Sequence, residues 1–290
     1  SITSREGVLQ ITSASTSPTI TTLKDNDFLF RTVPSDAFQG IALAKLVTEK
    51  GVKDVSIIYV NNAYGQGLAD AFAKAYQGMD GKVTESVPFE AGQASYRGEL
   101  QRLKGGDAEA LVVVAYPENG TVILKQSLEG GYFDKFIFTD GMKAPEIVEQ
   151  IGADYVNGSY GSVPQSAESE GLTRFQDAYK AKHGEIPPLP YIDTAYDATI
   201  LIALAAVKAG SNDRTAIRDA LRDVASAPGE KVGPGDYAKA VELLKAGKDI
   251  NYEGAAGSQD FDENGDVPGT IGMWSFEDGK IVDGGLIDLN

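Results

Sequence analysis

Cysteine is absent from all 290 residues, which excludes thiol catalysis, thiolate metal sites and disulfides. Exported proteins can do without bridges, so this leaves the compartment open. There is one histidine, His183, so a multi-histidine metal site cannot be built. It stands in AKHGEIPP at an expected helix end, where a solvated side chain near the negative pole is the simple reading. No apolar run approaches the ~18 residues of a membrane span. The longest candidates, Ala110 to Ala115 and Thr199 to Val207, are far too short. The opening SITSREGVLQ lacks the basic start and apolar core of a signal peptide, as in a cytoplasmic protein or one whose export signal has been removed. Basic residues are scarce, 26 against 42 acidic ones, and a net charge of −16 repels polyanions. Nucleic acid is therefore not an expected partner.

What is present is an ordinary globular composition, 42% hydrophobic and 23% charged, long enough for two domains. From Lys53 to Phe138 short β-branched runs alternate with stretches of helical period, as in βαβ units around a parallel sheet. The spacing predicts strands at Val55 to Val60, Val83 to Val87, Ala110 to Ala115 and Phe136 to Phe138. Helices are predicted near Ala37 to Lys50, Gly67 to Gln77, Ser95 to Leu103 and Glu118 to Glu129. Near-continuous apolar strands such as ALVVVAY imply a sheet covered on both faces. After Pro164 helices dominate, at Gly171 to Lys182, Tyr191 to Ala209, Arg214 to Val224 and Tyr237 to Ala246. Strand-like segments return at Thr270 to Phe276 and Lys280 to Ile287. The fold class is α/β, with two lobes sharing chain segments.

Few motifs carry chemistry. YVNNAYGQGLAD places Gly65 and Gly67 between a strand and a helix, but Asp70 replaces the third glycine of a dinucleotide fingerprint and would repel a pyrophosphate. No cofactor is expected. DFDENGD at Asp260 to Asp266 begins like a calcium loop, yet Ile271 stands where the bidentate glutamate belongs and Pro268 interrupts the exiting helix. A polar turn with Gly265 at positive φ accounts for it better. PPLP at Pro187 to Pro190 reads as a rigid loop before a helix. Acidic pairs such as Asp140 with Glu146 are expected by chance in so acidic a chain, so no catalytic set emerges and the chain is read as a non-enzyme.

The segments GVLQITSASTSPTIT, FRTVPSDAFQG and NNAYGQGLA occur in this order, followed by YPENG at Tyr116 to Gly120, TDG at Thr139 to Gly141, and Tyr196-Asp197-Ala198. Together they resemble the landmarks of the periplasmic substrate-binding proteins of ABC transporters, in the branched-chain amino acid (Leu/Ile/Val) binding family. The resemblance implies the type I periplasmic binding fold, two Rossmann-like lobes with parallel sheets joined by three crossovers. Lobe 1 would be 1–33 plus 164–270, and lobe 2 would be 34–163 plus 271–290. The crossovers would fall near Val33 to Ser35, Val163 to Pro164 and Gly269 to Ile271. In this family a small ligand is trapped when the lobes close over it. The family's chains also open with about ninety residues of first-lobe βαβ units that this sequence does not contain, so lobe 1 is expected to be incomplete here.

Carried over by position, Ala14, Ser15 and Thr16 would line the loop after the strand Val8 to Ile11. A hydroxyl and backbone groups there can meet the ligand's carboxylate and ammonium. A plain hydroxyl-rich turn is the competing account. Tyr64 matches the tyrosine of the family's YGxGLA motif and would face the cleft; a packed aromatic at a helix start is its alternative. Asp140 matches the acidic residue offered to the α-ammonium, with a turn-forming Asp before Gly141 as the alternative. Ala115 stands where relatives carry an aromatic contact and Tyr116 follows it, which leaves the side-chain pocket undetermined. Tyr191 and Tyr196 would border the cleft or pack against a neighbouring helix, and of the two Tyr191 is kept as a ligand contact. The expected partners are an amino acid or small carboxylate and the ABC permease subunits of the inner membrane, with the protein monomeric and periplasmic or lipid-anchored. An aromatic or other small carboxylate is the alternative ligand, and a sensor domain of the same fold the alternative role.

Overall fold

The computed structural model describes residues 2–289, which divide into two compact units. One contains the residues up to Pro34 with Gln165–Pro187 and Tyr191–Thr270; the other contains Ser35–Pro164, Pro188–Pro190 and the residues from Ile271 on.

In chain order the first unit opens with α1 (Ile2–Arg5), then β1 (Gln10–Thr12) and β2 (Leu29–Arg31), which pair in parallel. The second unit follows with α2 (Asp36–Glu49), β3 (Asp54–Val60), α3 (Ala63–Gly78), β4 (Lys82–Phe89), α4 (Arg97–Lys104), β5 (Ala110–Val114), α5 (Pro117–Gly130) and β6 (Phe136–Phe138). After a 3-10 turn at Asp140–Met142 come the short α6 (Glu146–Ile151) and α7 (Ala153–Val156), and then β7 (Tyr160–Pro164). The first unit resumes with α8 (Glu170–His183), α9 (Ile192–Ala209), α10 (Arg214–Ala225), β8 (Glu230–Val232), α11 (Tyr237–Lys245), β9 (Ile250–Gly254) and β10 (Gly257–Ser258). Strands β11 (Ile271–Glu277) and β12 (Lys280–Leu286) complete the second unit.

The second unit is built on a seven-stranded sheet in the order β12-β11-β7-β6-β5-β3-β4. The five strands from β4 to β7 run parallel, while β11 is antiparallel to both β7 and β12. All five residues of β5, ALVVV, are buried, as a strand covered on both faces requires. The period of two sorts its side chains. Leu111 and Val113 join Phe89, Leu100, Ile123 and Trp274 on one face; Val112 and Val114 join Leu43, Val47, Leu68 and Phe72 on the other. Burying one such side chain contributes about 1.5–3 kcal/mol, so these two layers dominate the unit's stability.

The first unit has a separate core of Phe30, Leu201, Leu204, Leu221, Val224 and Tyr252. Its second sheet, β10-β9-β8, contains a β9–β10 antiparallel pair. The DFDENGD segment forms a turn in which Asp262 Oδ1 accepts from the backbone N–H of Asn264 and Asp266, with Gly265 at φ 76°. Among the described residues no helix is long and apolar enough to cross a membrane.

Candidate ligand-binding site

In the second unit, four of the residues singled out in the sequence, Tyr64, Ala115, Tyr116 and Asp140, follow the carboxyl ends of the neighbouring parallel strands β3, β5 and β6, the place where open α/β sheets collect ligands. After β3 the Asn62 side chain caps α3 by accepting from Gly65 N–H at 2.8 Å. The helix therefore begins at Ala63, four residues earlier than the sequence spacing predicts, and Gly65 and Gly67 lie inside it instead of in a loop before it. A side chain at Gly65 would collide with the Val60 carbonyl, so glycine is what lets the first turn close against β3.

This early start places Tyr64 in the first helical turn. Its hydroxyl donates to Asp140 Oδ1 at 2.9 Å and lies 2.9 Å from Thr139 Oγ1, which is free to donate in return. Gly141 N–H reaches the same hydroxyl at 3.4 Å. Burial, then the charges of Asp140 and Asp36, push the Tyr64 hydroxyl well above its ordinary pKa, so it stays a donor at neutral pH. Its ring stacks on Tyr116 with centroids 5.4 Å apart. Tyr116 remains 38% exposed at the N-cap of α5, so one aromatic face is available beside the buried carboxylate. Ala115, just before it, is fully buried with its methyl group in the apolar core, and its carbonyl lies against Gly141. Asp140 itself is only 5% exposed.

Sequence reasoning missed Gln39, on α2. Fully buried, it donates from Nε2 to Asp140 Oδ1 at 3.0 Å, to the Ser162 carbonyl at 3.3 Å and to Ser162 Oγ at 3.2 Å. The signal in FRTVPSDAFQG was faint: Gln39 shares the buried face of α2 with Asp36 one turn before it and with Ala42 and Leu43 one turn after.

The first unit brings a different set together. Ala14 and Ser15 are exposed and Thr16 is buried, in a loop whose backbone N–H groups at Ala14 and Ser15 turn back to Thr12 Oγ1. The loop is anchored by Arg31, which is wholly buried and donates to the carbonyls of Thr16 and Ser17 at 3.0 and 3.1 Å while its Nε pairs with Asp266 at 2.7 Å. Thr194, in the first turn of α9, donates to the Ser13 carbonyl at 2.8 Å. Tyr191 precedes that helix with φ 74°, a conformation uncommon outside glycine, and Thr194 Oγ1 also reaches its carbonyl, at 3.1 Å. Tyr196 packs on Phe175 with centroids 5.1 Å apart, an intramolecular contact of the kind its spacing allows. Arg31 and Thr194 were not singled out in the sequence, because their partners are remote along the chain.

Such a set of parallel-strand ends, glycine-dependent turns and buried polar side chains defines a small-molecule binding fold. The chain belongs to the family described as "Receptor family ligand binding region", whose model matches residues 1–279. It has the type I periplasmic binding fold. It is 29% identical over 220 residues to the leucine-, isoleucine-, valine-, threonine- and alanine-binding protein of Pseudomonas aeruginosa, covering 75% of this chain and 58% of that protein. It is 28% identical over 258 residues to the chemotactic signal transduction system substrate-binding protein BasB of Halobacterium salinarum, covering 87% of this chain and 60% of that one. The chain thus spans about three-fifths of the length of these curated relatives. Among solved structures it is similar to the branched-chain amino acid transporter substrate-binding protein LivJ of Streptococcus pneumoniae in complex with isoleucine. There the TM-score is 0.73 at 26% identity, covering 97% of this chain and 74% of that one. The relatives named are binding proteins, not enzymes.

Proposed function

We propose that this chain is part of an extracytoplasmic solute-binding protein that delivers an aliphatic amino acid to an ABC permease in the inner membrane. The observation that carries the reading is Asp140, an almost wholly buried carboxylate held beside an exposed tyrosine face at the ends of three parallel strands. A desolvated carboxylate is a strong partner for an α-ammonium group, and the adjoining ring of Tyr116 offers apolar area to a side chain. In this reading Tyr64, Ala115, Tyr116 and Asp140 serve the ammonium and side chain, while Ala14, Ser15, Thr16 and Tyr191 serve the carboxylate end. The relatives in Pseudomonas aeruginosa and Streptococcus pneumoniae, named for binding branched-chain amino acids, support it. Capture would proceed by hinge closure at the crossovers, with ligand shifting the population toward the closed form. The test is a thermal-shift series with leucine, isoleucine, valine, threonine and alanine against benzoate. A bound ligand at 100 times its Kd adds about 2.7 kcal/mol. A response to benzoate alone would replace the amino acid with a small aromatic carboxylate.

A second role for the same site is sensing, favoured by the similarity to a chemotactic substrate-binding protein over 87% of this chain. Pull-down from detergent-solubilised membranes separates the two: a permease partner supports uptake, a chemoreceptor partner supports sensing.

A further inference from the structure

Asp140 Oδ1 accepts from two side chains carried by two different helices, Tyr64 of α3 at 2.9 Å and Gln39 of α2 at 3.0 Å. The amide of Gln39 has only one sensible orientation. Asp140 Oδ1 and the Ser162 carbonyl both accept and neither donates, so the NH2 end must face them; the reversed amide would set oxygen against oxygen at both contacts. Ser162 is itself fixed, because it lies in β7 paired with Met273 of β11, and its carbonyl also accepts from Trp274 Nε1 at 3.3 Å. Gln39 therefore ties the carboxylate to the rigid centre of the sheet. Because the amide is neutral, it sets the direction of the carboxylate without cancelling its charge, which a lysine or arginine at this place would do.

We propose that Gln39 is a positioning residue that aims the Asp140 carboxylate at the ligand's α-ammonium, and so sets the preference for an amino acid over the corresponding carboxylate without the amino group. The proposal rests on the amino-acid reading above. It assigns to a residue of α2 a share of specificity exercised through Asp140. Leu43 and Val47 on the same helix are committed to the apolar core, which keeps the helix, and hence the amide, in place.

The experiment is calorimetric titration of the whole chain with leucine and 4-methylpentanoate, and with valine and 3-methylbutanoate, for the native protein, Gln39→Met and Gln39→Glu. Gln39→Met keeps the length of the side chain and removes its hydrogen bonds. The expected result is an amino-acid Kd raised about tenfold by Gln39→Met, with the Kd of the deaminated partner within about twofold of native. A merely structural role would move both ligands by the same factor. Gln39→Glu places a second carboxyl against Asp140, beside the buried Asp36 three residues earlier on the same helix, and is expected to make leucine binding between about pH 5 and about pH 8 depend more steeply on pH than it does in the native chain. It also supplies the answer if Gln39→Met does not fold. Equal weakening of both ligands, or no weakening with native binding intact and no steeper pH dependence, overturns the positioning role alone. If the native chain binds neither amino acid, the functional reading fails, and the positioning role with it.

Discussion

Two buried aspartates, one in each unit, show how the same residue type serves two ends. Asp197 of α9 is wholly buried and satisfied by its own fold: the backbone N–H groups of Ala255 and Ala256 and the Tyr252 hydroxyl reach it at 2.8 Å, and Gln259 Nε2 at 3.4 Å. It clasps the β9–β10 hairpin to the helix, and the approach is so close that a side chain at Gly254 would strike its carboxylate. Asp140 sits in a 3-10 turn at a strand end, with the Tyr64 and Gln39 hydrogen bonds converging on one oxygen and an exposed aromatic face nearby. A carboxylate surrounded by backbone donors is holding structure together, whereas Asp140, steered by neutral side chains at the end of a parallel sheet, is the one proposed above to meet a ligand.

The contrast is most sharply broken by mutation of the structural aspartate. Asp197→Ala leaves two backbone N–H groups and a buried hydroxyl without their acceptor, and should cost about 3–5 kcal/mol in urea unfolding. A loss under about 1 kcal/mol would mean the clasp is dispensable.

Acid titration gives the next largest effect. Burial pushes the Asp197 carboxyl up to about 6 from the ordinary 3.8, outweighing the donors that pull it down. The folded state then holds this proton more tightly than the unfolded chain does. Its contribution to stability is full below about 3.8 and is lost as pH rises through about 6. Relative to Asp197→Asn, the native chain should gain up to about 3 kcal/mol between about pH 7 and about pH 4. Parallel curves for the two proteins would remove burial as the governing force there.

In the second unit Gly141→Ala drives a methyl group into the Ala115 carbonyl and to 3.0 Å from the Tyr64 hydroxyl. A loss of about 1–3 kcal/mol in stability is expected, with weakened ligand binding, measured by thermal melting and calorimetry on one sample. Tyr64→Phe removes one hydroxyl from the cluster and should lower stability by about 1 kcal/mol. Its amino-acid affinity should fall by a larger factor than that of the deaminated ligand.

Much of the second unit was legible in the sequence because its signals are local. ALVVV reads as a doubly covered strand, and β6 has the predicted limits. The start of α3 was misplaced because two glycines argue against a helix there, while the Asn62 cap and the tight approach to Val60 that favour it are tertiary facts. Strands β7, β8 and β9 carry no clear period; GSYGSVP becomes β7 only through pairing with β6 and β11. Tyr64 and Asp140 stood out by resemblance, yet their hydrogen bond joins residues 76 positions apart, and the Gln39 contact spans 101. No pattern along the chain reports such pairs.

The central claim is that Asp140 receives the ligand's ammonium group, and it is tested most directly by titrating leucine into Asp140→Asn beside the native chain. The account predicts a Kd raised by about tenfold to a hundredfold in a protein that still folds, since the amide oxygen can keep the Tyr64 and Gln39 hydrogen bonds while the charge is lost. An unchanged leucine affinity in a folded Asp140→Asn protein would contradict it.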